Sequence, residues 1–257
     1  MKYVMVFILG FKTTILYKKN IMIEVCLALF NIYILIYFWN YIYKDQLENF
    51  IYMEKYVVIS EVLVVAYSSI APHRLVKQIR TGDVIIEMVK PWNFLLSLFA
   101  EEIGNILARL IIHGTVIFFV STTLLSIDFP NLTRMIIFLI FTIFSSIILF
   151  IIRISMALLA FWFTEANAIL ILTDTIISVF SGKFIPSWIV PIYLKKVMEA
   201  GPFIWLYQIP IQIFLDKKGI ESRGNEIGIM LIWLILFGIL LYLIWKIVIK
   251  KINIQGG

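Results

Sequence analysis

The sequence predicts an all-α membrane protein that crosses the bilayer about six times, as one transmembrane domain over residues 1–257. Three observations carry that expectation. First, 62% of the 257 residues are hydrophobic and only 15% are charged. A soluble globular domain has roughly 45–50% apolar and about 25% charged residues, so too few polar groups remain here to cover a water-facing surface. Second, apolar runs recur at about the 20-residue length that a helix needs to cross the hydrocarbon. Third, the cations fall mainly between and beyond those runs, where headgroups lie.

The N-terminal stretch mixes apolar residues with Lys2, Lys12, Lys18 and Lys19, which suits an interfacial helix lying along the membrane surface. The lysines stand where a small-residue cleavage site would be needed, so the first span is expected to stay in the mature protein. That span is placed at 21–43, with Trp39, Tyr41 and Tyr43 in the aromatic belt at its far end. Its Cys26, the only cysteine, reads as a small buried hydrophobe. A second span at 56–71 is expected to stop at Pro72, which cannot donate to a helical ladder.

The stretch 73–91 is polar, and 92–125 contains a third span, followed by a Phe129-Pro130-Asn131 turn. A fourth span at 135–163 exceeds what the bilayer requires, and a fifth occupies 166–180. Prolines 186, 191, 202 and 210 interrupt 182–226, which reads as a re-entrant or interfacial hairpin before a sixth span at 227–249. An even count puts both termini and 73–91 on one side. That side holds Lys2, Lys12, Lys18, Lys19, Arg74, Lys77, Arg80, Lys90, Lys246, Lys250 and Lys251, against fewer cations opposite, which favours cytoplasmic termini in the cell membrane.

Several activities are argued against. The net charge of +6 comes without a basic patch interleaved with aromatics, so the cations read as flanks of spans rather than as a nucleic-acid surface. Ser181-Gly182-Lys183-Phe184 lacks the earlier glycine and the Ser/Thr of a phosphate-binding loop, so ATP is not expected to bind this chain in that manner. Glu101-Glu102 with Arg109 and His113 resembles intramembrane glutamate proteases only superficially, because Arg109 lies two helical turns beyond Glu102. No catalytic residue, cofactor site or metal site is expected; the two histidines are isolated from carboxylates at turn spacing.

Glu102, Asn105, Arg109 and His113 are spaced three, four and four apart and so share one helical face. A charge at the bilayer centre costs roughly 2.5–3.5 kcal/mol on insertion scales, so this stripe must face protein or water. It serves either as a satisfied structural stripe near the headgroups or as part of a site. Glu61, Arg153, Glu165 and Asp174, within or at the ends of other spans, read as interhelical partners by the same reasoning. The stretch 73–91 forms a short amphipathic helix with Ile79, Val84, Ile86 and Val89 as apolar anchors and Arg80, Asp83 and Glu87 as charges, stopped by Pro91. Such a helix is either a strap on the membrane surface or a docking surface.

Here the chain resembles a known family. Arg80-Thr81-Gly82-Asp83-Val84-Ile85-Ile86-Glu87-Met88-Val89-Lys90-Pro91 is similar to the pattern that ABC transporter permeases of the type-two exporter class carry after their second span. The resemblance implies that Arg80, Gly82, Asp83, Glu87, Lys90 and Pro91 form or adjoin a coupling helix that docks on a separate ATPase subunit. ATP and Mg would then be held on that partner. A second similarity lies in Ser181-Gly182, Pro186, Pro191 and Pro202-Phe203, which match the extracellular hairpin that family members place before their last span. Many members have Glu-Arg-Glu before the glycine and Thr after it, where this chain has Gln78-Ile79-Arg80 and Asp83. The chain therefore resembles the subgroup that includes permeases of drug, antibiotic or peptide export. The resemblance implies one permease of a pair, identical or homologous, forming half of a substrate conduit. An ATPase-independent transporter or channel is the competing reading.

Overall fold

The computed structural model describes residues 2–16, 18–117, 119, 123, 130–215 and 224–255, and every regular element among them is helical. Among the described residues, three helices are long and apolar enough to cross a membrane: Ile21–Ile42, Leu132–Phe161 and Asn225–Lys251. They differ in what surrounds them. Half of the most apolar stretch of Leu132–Phe161 is buried inside the chain, against 17% for Ile21–Ile42 and 6% for Asn225–Lys251. A helix apolar on faces that the protein does not cover is a lipid-facing helix.

The first two helices, α1 (Lys2–Leu16) and α2 (Lys18–Ile42), are nearly continuous. Helix α2 turns Ala28, Ile32 and Trp39 inward. Cys26 faces outward, contrary to its expected burial, because it lies off the face that Ala28 and Ile32 define. Helix α3 (Leu47–Ala66) ends before Pro72, so that proline does not stop it. Pro72 instead lies in the first turn of α4 (Ala71–Thr81), where its missing N–H is one the helix leaves unbonded anyway.

The expected single helix over 73–91 is two helices. Gly82 caps α4 in the left-handed region at φ 81°, which favours glycine, and α5 (Val84–Val89) starts afresh after Asp83. Helix α6 (Phe94–Arg109), N-capped by the Asn93 side chain, passes into a π-helical turn at Leu110–Gly114. Beyond Ile117 most of the expected third span, with Leu125, lies outside the described residues, as does Phe129 of the expected turn.

Helix α7 (Leu132–Leu158) begins ahead of the expected 135, because Asn131 Oδ1 accepts the Arg134 N–H at 3.0 Å and starts the helix there. A 3₁₀ turn and a short loop lead to α8 (Ala166–Phe180). The hairpin segment carries α9 (Ile192–Ala200), a 3₁₀ turn at Phe203–Trp205 and α10 (Gln208–Leu215). Helix α11 (Gly224–Gln255) closes the described chain.

Helix α1 does not stand alone on a surface; it runs lengthwise along the first part of α6. Lys2 Nζ donates to the Pro91 carbonyl at 3.3 Å, Tyr3 Oη accepts the Asn93 N–H at 3.0 Å, and Thr14 Oγ1 donates to Asn105 Oδ1 at 3.1 Å. That order makes the two helices parallel. Two glycines allow the approach: a Cβ on Gly10 would lie 2.3 Å from the Glu101 carbonyl oxygen, and one on Gly104 2.2 Å from that of Phe7. The pair arrives together where α2 begins.

Side-chain contacts gather the polar segments at two ends. Lys2 meets Pro91, Arg80 Nη2 lies 3.9 Å from Glu165, His73 Nδ1 lies 3.4 Å from Asn167 Oδ1, and Lys251 Nζ donates to the Phe161 carbonyl at 2.6 Å. Thus the N-terminus, 71–91, 161–167 and residue 251 share one end. The hairpin, packed by Trp188 against Tyr52 and Tyr56, belongs to the other.

Candidate functional site

Helix α4 is amphipathic because its sequence spaces Leu75 and Val76 inward, against α7 and α8, while Lys77 and Arg80 face out. It is tied to α6 by one bidentate ion pair: Arg74 Nη1 and Nη2 donate to Glu101 Oε1 and Oε2 at 2.7 and 2.6 Å. The hydrogen bond to Glu101 raises the Arg74 pKa above its ordinary value, so the guanidinium stays charged.

Beyond Gly82 the expected anchors divide. Val84 is buried against Leu75, Val76 and their neighbours, whereas Ile85, Ile86 and Val89 are 54%, 67% and 78% exposed. Three charges are held within the segment: Thr81 Oγ1 donates to Asp83 Oδ2 at 2.6 Å, and Lys90 Nζ bonds both Glu87 oxygens at 2.6 Å. Lys90 itself is extended ahead of Pro91, as the residue before a proline prefers. An apolar patch rimmed by fixed charges is thereby presented outward.

The stripe on α6 stays on one face through the π-helical turn. Glu102, Arg109 and His113 are buried, and Asn105 is half-buried against Thr14. Arg109 Nη1 donates to the Ser68 carbonyl and hydroxyl at the end of α3. His113 Nε2 lies 3.1 Å from Glu24 Oε2 in the first turns of α2. The stripe therefore meets the ends of α2 and α3, not their middles. Asn105, Arg109 and His113 of the stripe line a cavity of ≈ 380 Å³ with Thr13, Thr14, Glu24, Ser68, Ser69 and Arg74.

At the opposite end, Gly182 adopts φ 74°, and a Cβ there would lie 2.5 Å from Gln208 Oε1. Tyr56 Oη donates to the Gly182 carbonyl and Ser60 Oγ to that of Lys183, both at 2.7 Å, so the Ser181-Gly182 turn is pinned to α3. Gln208 closes the hairpin: its N–H donates to the Ser181 carbonyl at 3.1 Å, its Oε1 accepts the Ser187 N–H and its Nε2 donates to Ser187 Oγ, both at 2.8 Å. Pro191 and Pro202 stand at the starts of α9 and of the 3₁₀ turn that opens with Phe203, and the Pro186 carbonyl accepts the Ile189 N–H.

Residues 27–256 match the family described as ABC-2 family transporter protein. The chain belongs to that family. No curated protein matches the sequence, and no solved structure does. The ABC-2 protein is accordingly the membrane permease component of an ABC transporter, a multi-pass integral membrane protein whose part is transport rather than catalysis.

Its fold assembles residues that sequence reasoning treated separately or passed over. Arg153 Nε bonds Asp174 Oδ1 at 2.8 Å and its Nη1 donates to the Tyr67 carbonyl at 2.6 Å, joining α7, α8 and α3. Glu165 faces Arg80 across the α7–α8 loop. Glu61 is buried and makes no ion pair among the described residues. Glu24, Ser68 and Gln208 were not singled out beforehand. A lone acid in an otherwise apolar first span was the available signal for Glu24; nothing in the local sequence marks the other two.

Proposed function

We propose that this ABC-2 permease is one half of an ATP-driven exporter in the cell membrane, coupled to a separate ATPase through 80–91. In this reading six helices cross: α2, α3, the helix begun by α6, α7, α8 and α11. Both termini and 71–91 are cytoplasmic, and 181–208 is the external re-entrant hairpin. A second permease, identical or homologous, completes the conduit, and two ATPase subunits hold ATP and Mg. Cargo is large and apolar or amphipathic, because ion selectivity needs rings of carbonyls or charges at a constriction and the spans supply chiefly Ile, Leu and Phe. Within the family, the subgroup of drug, antibiotic or peptide exporters is the one its Arg80-Gly82-Asp83 pattern resembles.

The outward face of α5 is the observation that supports this reading. Val84 anchors the helix from inside, leaving Ile85, Ile86 and Val89 exposed between Asp83 and Glu87. An apolar patch rimmed by charge is the anatomy of a protein–protein contact, in which the charges set orientation. Membrane burial of the same three residues would make the segment a strap.

The test is simultaneous charge reversal, D83K/E87K. Insertion and expression are expected to stay at wild-type level while the ATPase is lost on co-purification or its hydrolysis is uncoupled from transport. Full retention of ATPase and transport at equal expression would leave 80–91 a membrane strap. Ion conductance by the purified complex that ignores ATP would favour a channel.

A further inference from the structure

The cavity between α1, α2, α4 and α6 has features that coupling does not use. It opens at the level where α2 enters its candidate span, at Ile21, and where α3 has ended, at Ser68 and Ser69. That is the depth of lipid headgroups. Its volume of ≈ 380 Å³ compares with roughly 30 Å³ for one water, so it accommodates a ligand of several heavy atoms.

Its lining contains buried polar groups that the protein leaves incompletely matched. Among the described residues Arg109, 7% exposed, bonds Ser68 but makes no ion pair, and its Nε has no hydrogen-bond partner. His113, 1% exposed, has no partner for Nδ1 among the described residues. Leaving such groups unmatched is costly, more so for a charge.

The signs are mixed. Arg74 and Glu101 satisfy each other, which leaves Arg109 and His113 near Glu24, whose side chain is 36% exposed. Glu102 lies close to Arg109 without pairing to it. A simple anion would meet Arg109 and be repelled by Glu24. A group carrying a phosphate and an ammonium a few ångströms apart satisfies both, with guanidinium on phosphate and carboxylate on ammonium.

We infer that this cavity is a binding site for a zwitterionic phosphate–ammonium headgroup, supplied by a phospholipid of the leaflet on the side of the termini. Arg109 and His113 hold the phosphate, Glu24 selects the ammonium, and Thr13 and Thr14 of α1 complete the lining. The site rests on the chain's own geometry and stands whether or not 80–91 docks on an ATPase.

The experiment uses the purified full-length protein with any co-purifying subunits, stripped of lipid in mild detergent. Phosphatidylethanolamine, phosphatidylglycerol and soluble phosphoethanolamine are titrated, with lipid retention read by native mass spectrometry and stability by thermal unfolding. The expected result is preferential retention of phosphatidylethanolamine, weakened roughly tenfold by Arg109→Gln. Lys44→Gln, at the opposite end, is expected to change nothing. Because Arg109→Gln removes a buried contact and can impair folding, Glu24→Gln is the second probe: it keeps Arg109 and is expected to erase the preference over phosphatidylglycerol. Competition by phosphoethanolamine supports the headgroup chemistry; stabilisation by phosphoethanolamine without lipid retention overturns the lipid as its source. Equal retention of both lipids by the wild type, or unchanged retention in both variants, overturns the site.

Discussion

Arg74 and Glu101 form the direct polar link between α4 and α6, and their geometry makes an experiment available. The pair is partly open, with side chains 40% and 22% exposed, so solvent screens it and its worth lies in position more than in energy. Arg74→Glu sets two carboxylates face to face and is expected to lower transport roughly fivefold. The swap R74E/E101R is expected to recover most of that loss, read as transport at equal expression. Failure of the swap to improve on the single change would mean that the link is not electrostatic. The glycines separate two other physical demands. Gly82 has φ 81° and open space around it, whereas Gly182 has φ 74° and Gln208 within 2.5 Å of any added Cβ. Gly82→Ala is therefore expected to cost about 1 kcal/mol of backbone strain, and Gly182→Ala that plus about 1–3 kcal/mol of overpacking. Thermal unfolding of the two purified variants gives the order, and a larger loss for Gly82→Ala would contradict it.

Among the elements, the hairpin depends on one side chain. Gln208 receives the Ser187 N–H and donates to the Ser187 hydroxyl, both buried. Gln208→Leu keeps similar bulk but strands both groups, at about 1–3 kcal/mol for each unsatisfied partner. Amide exchange across 181–208 is expected to quicken while α4 and α5 keep wild-type protection; uniform acceleration would show that the hairpin is not a separate unit. How much of each element was legible depended on how local its cause was. Ala166–Phe180 was read to the residue as a helix, because Glu165 and Ser181 bound a mainly apolar run. The start of α7 was missed by three residues because the Asn131 cap was read as turn only. Gly82 marks the turn into α5, where φ is 81°, but the apolar spacing continues across it, so the separate helix Ala71–Thr81 was not legible.

For the whole molecule, the contacts at two ends give a topology that labelling can check. With Cys26 replaced by serine, single cysteines at 77 and 195 are expected to react from the cytoplasmic and external sides, respectively. Cys26 faces outward, so its replacement removes no internal packing. Reaction of both positions from one side would overturn the six-crossing arrangement. The expected external Lys217 lies outside the described residues, and Lys195 on α9 takes its place as the reporter.

Composition and the lengths of apolar runs by themselves determined that this is a helical membrane protein, because lipid leaves few other ways to satisfy a backbone. The linear spacing of 80–91 and of the Ser-Gly and proline hairpin was enough to suggest the family. Tertiary structure alone decided what the polar residues do. Glu24, Ser68 with Arg74, and Glu101 with Arg109 come from three separate stretches of the chain, and the packing of α2, α4 and α6, with α1 held along α6 through Gly10 and Gly104, brings them around one cavity. The reason is physical: hydrophobic periodicity reports which face of a helix avoids water, whereas the partner that a buried charge finds depends on which helices cross and at what height.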